Sequence, residues 1–155
     1  DAFVRQRYIW VSRITGGAAA NSLGNLAQRF VVEFLQERLP KWDFSKKHID
    51  KISQNKRTLL SYDIVAKSPK GKICAIEVSF QVTTNSTIER KAGQAQARQI
   101  QLKKAGHKIA YIIDGAGNFE RSSALRTICQ FSDCTVTFKD SELKKLSEFL
   151  MTLDK

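Results

Sequence analysis

The sequence is short of proline, cysteine and acid, and each shortage excludes something. Its 155 residues hold two prolines, Pro40 and Pro69, both at boundaries between patterned segments, so no proline-rich linker divides the chain. Three cysteines, Cys74, Cys129 and Cys134, are odd in number and lack CxxC spacing, which argues against a disulfide framework and a zinc site. They read as reduced core or near-core residues. The longest apolar runs, such as Ile73 to Ile76 and Ile109 to Ile113, are far too short to span a bilayer, and no signal segment opens the chain. A soluble, intracellular protein is the expectation. The first residue is Asp1 rather than Met, which suggests a processed chain or a domain excised from something longer.

Acid is the remaining shortage: 15 Asp and Glu stand against 26 Lys and Arg, a formal net charge of +11. With 42% hydrophobic and 26% charged residues, the composition is that of one globular domain able to bury a core. The positive surplus attracts polyanions, nucleic acid first and an anionic membrane second.

Residues Phe3 to Ile14 mix apolar and basic positions and end at Gly16-Gly17, and they read as a helix in an N-terminal extension covering 1–19. From Ser22, Leu23, Leu26, Ala27, Phe30, Val31, Phe34 and Leu35 recur at helical spacing until Pro40, with Gln28 and Glu33 on opposite flanks of the stripe. Leu59 to Lys67 and Lys72 to Phe80 read as two strands joined by a hairpin, in which Pro69, Lys70 and Gly71 suit a type I turn followed by a left-handed residue. A polar helix follows, capped by Asn85 or Ser86 and ended by Gly106. Lys108 to Ile113 is a buried-type strand, Ser122 to Gln130 a helix, Thr135 to Phe138 a strand and Ser141 to Leu153 a last helix. This order predicts an α/β domain, a mixed central sheet flanked by helices, with its core in 20–155.

Counting back from the hairpin places Asp63 opposite Glu77 on one face, with Ser61 opposite Ser79 next along it. The other face carries Tyr62, Ile64 and Ala66 against Cys74, Ile76, Val78 and Phe80, an apolar layer for a helix. Two facing carboxylates repel each other in a sheet. A hard divalent cation such as Mg²⁺ bridging Asp63 and Glu77 turns that repulsion into a binding site, and small Ala75 and Ser79 leave the pair accessible. The alternative is an ordinary solvated strand face.

Asp63 at the end of Leu60-Ser61-Tyr62-Asp63, followed by Ala75-Ile76-Glu77-Val78-Ser79-Phe80, a polar helix and another strand, resembles the PD-(D/E)xK nuclease superfamily. Glu77-Val78-Ser79-Phe80, Ser86 and Ile113-Asp114-Gly115-Ala116-Gly117 are similar, more narrowly, to type II restriction endonucleases of the DpnII kind. The resemblance implies a restriction-endonuclease-like fold and a Mg²⁺-dependent endodeoxyribonuclease acting on double-stranded DNA, with Mn²⁺ as substitute. It implies Asp63 and Glu77 as metal ligands, with Gln28, or Glu33 as a carboxylate alternative, in place of a first-helix acid. Tyr62 replaces the motif's proline and Ser79 its lysine; Gln81, Arg90 and Lys91 are candidates for the missing cation's role. Asn85, Ser86, Arg90, Lys91, Gln94 and Arg98 form a DNA-facing cluster suited to phosphates and base edges. Cutting two strands needs two active sites, which points to a homodimer, to which Ser141 to Leu153 could contribute; a domain excised from a longer chain points to a separate specificity domain or subunit. Two other readings are a non-catalytic DNA-binding module of the same fold and a junction-resolving or repair nuclease.

Other signals lead elsewhere. Gly115-Ala116-Gly117 does not complete a dinucleotide motif and reads as a strand-to-helix turn. His48 and His107 accompany no nucleophile signature, and Trp10 and Trp42 read as packing anchors.

Overall fold

A computed structural model describes residues 20–55, 58–81 and 87–155. The helix expected over Phe3 to Ile14, Trp10, and the contact residues Asn85 and Ser86 lie outside the described residues.

Helix α1 (Ala20–Arg38) is followed by strands β1 (His48–Asn55), β2 (Thr58–Ser61), β3 (Ile64–Lys67) and β4 (Ile73–Phe80). Then come α2 (Thr87–Lys104), β5 (Lys108–Asp114), the single turn α3 (Ala116–Phe119), α4 (Ser122–Gln130), β6 (Cys134–Val136) and α5 (Asp140–Thr152). The main sheet runs β3-β4-β5-β6, antiparallel at its first pair and parallel at the other two. It is therefore the mixed sheet expected, compatible with a restriction-endonuclease-like fold.

Two cores lie on its opposite faces. On one, Ala27, Val31 and Leu35 of α1 and Leu143, Leu146 and Leu150 of α5 pack on Ile64, Ala66, Cys74, Ile76 and Val78. On the other, Ile88, Ala92, Ala95 and Leu102 of α2 and Ala124 and Ile128 of α4 pack on Val65, Ala75, Ile109, Tyr111 and Ile113. Each helix buries one stripe, and the central strands, covered on both faces, read as near-continuous apolar runs. Trp42 anchors the first core. Cys74 is buried and Cys134 half-buried, whereas Cys129 is exposed, against the near-core reading.

The hairpin follows its expected register: Ile64 pairs with Ile76 and Lys67 with Ile73. The Ser68 N–H donates to the Lys72 carbonyl at 2.8 Å, and Gly71 has φ of 81°. The strand expected over Leu59 to Lys67 is, however, split at Tyr62-Asp63. β2 leaves the main sheet and pairs with the unanticipated β1 in a separate two-stranded sheet. Ser61 consequently faces His48, not Ser79, and Tyr62 packs in the second core rather than with Ile64 and Ala66. The ladder stops because the Val78 N–H goes to the side chain of Asp63 (Oδ2, 2.8 Å), while the Tyr62 N–H goes to the Lys47 carbonyl at 2.8 Å.

Gly115 joins β5 to α3. Its φ is 97°, and a Cβ there would lie 2.0 Å from the Gln81 carbonyl oxygen, so only glycine fits. Among the described residues no helix is long and apolar enough to cross a membrane.

Candidate active site

The break between β2 and β3 positions the carboxylates. Asp63 is the residue before β3 and Glu77 lies inside β4, facing Tyr111 of β5. Both carboxylates turn toward α2, where Lys91 meets them: its Nζ donates to Asp63 Oδ2 at 2.6 Å and to Glu77 Oε2 at 2.5 Å. Two turns further along α2, Arg98 donates from Nη1 to the other oxygen of Glu77 and to the Ser61 carbonyl at 3.2 Å, with its guanidinium over the Tyr62 ring. Arg98 thereby ties both sheets to the acid pair.

The pair is less accessible than small flanking residues suggested. Only 6% of the Glu77 side chain is exposed, and 11% of Lys91, against 24% of Asp63. Burial raises Glu77 above the ordinary carboxylate value, with neighbouring Asp63 adding to the rise, although Lys91 and Arg98 oppose it. For Asp63, burial acts in the same direction but is outweighed by Lys91 and by hydrogen bonds that include the Val78 N–H, so its value is lowered. Asp63 is the firmly ionised member.

Helix α1 supplies Gln28, which donates from Nε2 to Asp63 Oδ1 at 3.1 Å and accepts at Oε1 from Lys47 Nζ at 2.9 Å. Glu33 is exposed five residues further round the helix, with no described bond to the pair. Ser79 is buried against Asn118, whose amide donates to the Ser79 carbonyl at 3.0 Å and its hydroxyl at 3.1 Å. Gln81 is buried, and among the described residues its Oε1 has no hydrogen-bond partner. Neither Ser79 nor Gln81 has a described bond to the carboxylates. Arg90 and Gln94 are exposed on α2, whereas Lys91 and Arg98 turn inward.

Asp63, Glu77, Gln28 and Lys91 are thus brought together. Lys47 and the inward role of Arg98 were not anticipated. Arg98 had a signal in the sequence: Ile88, Lys91, Ala95, Arg98 and Leu102 share a helix stripe, and cations inside a buried stripe require buried acids. Lys47 had none, because it acts through Gln28 across 19 positions of chain.

Two carboxylates close enough for one ammonium to contact both can also hold a hard divalent cation. Among the described residues no group of three or more His, Cys, Asp or Glu stands together, so they would supply no more than these two acidic ligands.

Residues 1–153 match the family model of the BanI C-terminal domain. The chain is 52% identical over 153 residues to the type II restriction enzyme BanI of Aneurinibacillus aneurinilyticus, a match covering 96% of the chain and 43% of that enzyme. It is 50% identical over 153 residues to the type II restriction enzyme HgiCI of Herpetosiphon aurantiacus, covering 96% of the chain and 44% of the relative. The chain thus spans less than half the length of these curated relatives. No solved structure matches it significantly. These matches give the narrower DpnII likeness no support. With its family model matched from residue 1 to 153, the chain belongs to the BanI C-terminal domain family of type II restriction enzymes.

Proposed function

We propose that this domain is the cleavage domain of a type II restriction endonuclease, hydrolysing phosphodiester bonds of double-stranded DNA with Mg²⁺, and that it is a PD-(D/E)xK nuclease whose motif lysine has moved. The observation that carries the reading is Lys91: α2 delivers an ammonium to Asp63 and Glu77, although Ser79 stands in the motif's lysine position. A divalent ion held by Asp63 and Glu77 would polarise the scissile phosphate and lower the pKa of a coordinated water. Lys91 would orient that water and offset charge developing on phosphate. Arg98 holds the Glu77 carboxylate in place, and Gln28 fixes that of Asp63. Identity of about half to BanI and HgiCI supports the restriction reading and DNA as substrate. Homodimerisation fits cleavage of two strands, and a separate specificity region fits a chain that spans less than half of these relatives.

Incubating the protein with supercoiled plasmids of varied sequence and Mg²⁺, with EDTA as control, tests the proposal. Metal-dependent cleavage is expected in the wild type and should disappear in Asp63→Asn and Glu77→Gln, both of which should still bind DNA. Undiminished cleavage by either variant would refute the site. Binding without metal-dependent cleavage by the wild type would favour the non-catalytic module, and preference for junctions over linear duplex would favour the resolving nuclease.

A further inference from the structure

The acid pair has a closed side and an open side. Toward α2, Lys91 and Arg98 cover Glu77, and Arg90 and Gln94 lie exposed on that helix with no described bond to the pair. Asp63 instead reaches a cleft of about 340 Å³ between α1 and the segment before β1, lined among others by Asn25, Gln28, Arg29, Lys47 and Asp63. Of these lining residues, Asp63 alone is acidic, and its charge is already met by Lys91.

Lys47 is held there from two directions. Its carbonyl accepts the Tyr62 N–H at 2.8 Å, and the preceding Lys46 carbonyl accepts the Val65 N–H at 3.2 Å, which pins this segment beside the start of β3. Its ammonium donates to Gln28 Oε1, so the Gln28 amide is oriented with its NH₂ toward Asp63. One amide therefore places a cation beside the carboxylate without neutralising it. Lys47 is exposed and keeps further N–H donors for a ligand, and Arg29 lies exposed on α1 in the same cleft.

We propose that this cleft takes a backbone phosphate of the DNA, with Lys47 and Arg29 as its cationic contacts, and that duplex reaches the acid pair from here rather than across Arg90 and Gln94. The inference rests on the nuclease reading and names the phosphate-binding side of that site.

The test is duplex binding by the intact protein, followed by fluorescence anisotropy over a range of KCl concentrations without divalent cation, so that cleavage plays no part. Each lost phosphate contact lowers the salt slope by about 0.9. Lys47→Ala and Arg29→Ala should each lose about one unit of slope and weaken binding equally across duplex sequences, whereas Lys47→Arg should retain the slope. Arg90→Ala and Gln94→Ala should leave it unchanged. An unchanged slope in Lys47→Ala or Arg29→Ala overturns that contact, and a unit loss in Arg90→Ala overturns the choice of side. Failure of the nuclease reading looks different: plasmid stays uncut by the wild type while the cleft variants still lose slope. Failure of this inference leaves cleavage dependent on Asp63 and the slopes intact.

Discussion

Replacing Lys91 by alanine removes the ammonium from between two carboxylates and leaves Asp63 and Glu77 facing each other. Removing one partner of a buried ion pair costs roughly 3–5 kcal/mol, because an uncompensated buried charge stays behind. The low end applies: Asp63 keeps the Val78 N–H and Gln28, Glu77 keeps Arg98, and 24% of the Asp63 side chain meets solvent. A loss of about 3 kcal/mol follows, which for a domain of this size lowers Tm by about 6–12 °C. Thermal and urea unfolding of wild type and Lys91→Ala, each with and without Mg²⁺ or Mn²⁺, measure it. If Asp63 and Glu77 hold a divalent cation as proposed, it should restore part of the lost stability, since the pair exists only in the folded state. Asp63→Asn should cost far less than Lys91→Ala, because Lys91 keeps Glu77. Equal stability of wild type and Lys91→Ala would refute the bridging arrangement. Cleavage by Lys91→Ala at the wild-type rate would refute its catalytic assignment.

On the proposed metal site, Arg98→Gln should lower kcat about 10- to 100-fold, the usual cost of losing a group that orients a metal ligand, with duplex affinity and salt slope unchanged and partial rescue by Arg98→Lys. Weakened DNA binding with normal kcat at saturating duplex would make Arg98 a DNA contact instead. The two acids should also respond oppositely to pH. Asp63, lowered below 3.8, contributes stability that is present above that value and lost as pH falls through its folded value. Glu77, raised above 4.5, contributes against folding at neutral pH, and that cost disappears as pH falls through its folded value toward 4.5. Urea unfolding should show wild type gaining on Glu77→Gln as pH falls toward 4.5 and losing ground to Asp63→Asn only below 3.8; the reverse order contradicts the assignment.

Much of this protein was determined by local pattern. Helical spacing located α1, α4 and α5 to within a few residues, because each buries one continuous stripe. Pro69, Lys70 and Gly71 determined the hairpin, and the side-chain period of two then carried its register from the turn as far as Ile64 and Ile76, one residue short of Asp63 and Glu77. β1 escaped notice because bulges break its pairing with β2 and Lys51 adopts φ of 68°, so no alternation survives in the sequence.

Only the tertiary structure decided what surrounds the acids. That Asp63 ends the ladder by taking the Val78 N–H, that Tyr62 turns into the opposite core, and that Lys91 rather than Ser79 meets both carboxylates all depend on how β2 leaves the sheet and α2 crosses it. Lys47, Gln28 and Asp63 are far apart in sequence and meet only when α1 and the strands share one core. A shortage of acid in a basic chain was legible from composition. Which cations those acids hold was not, since charge pairing over such separations is set by packing rather than by spacing.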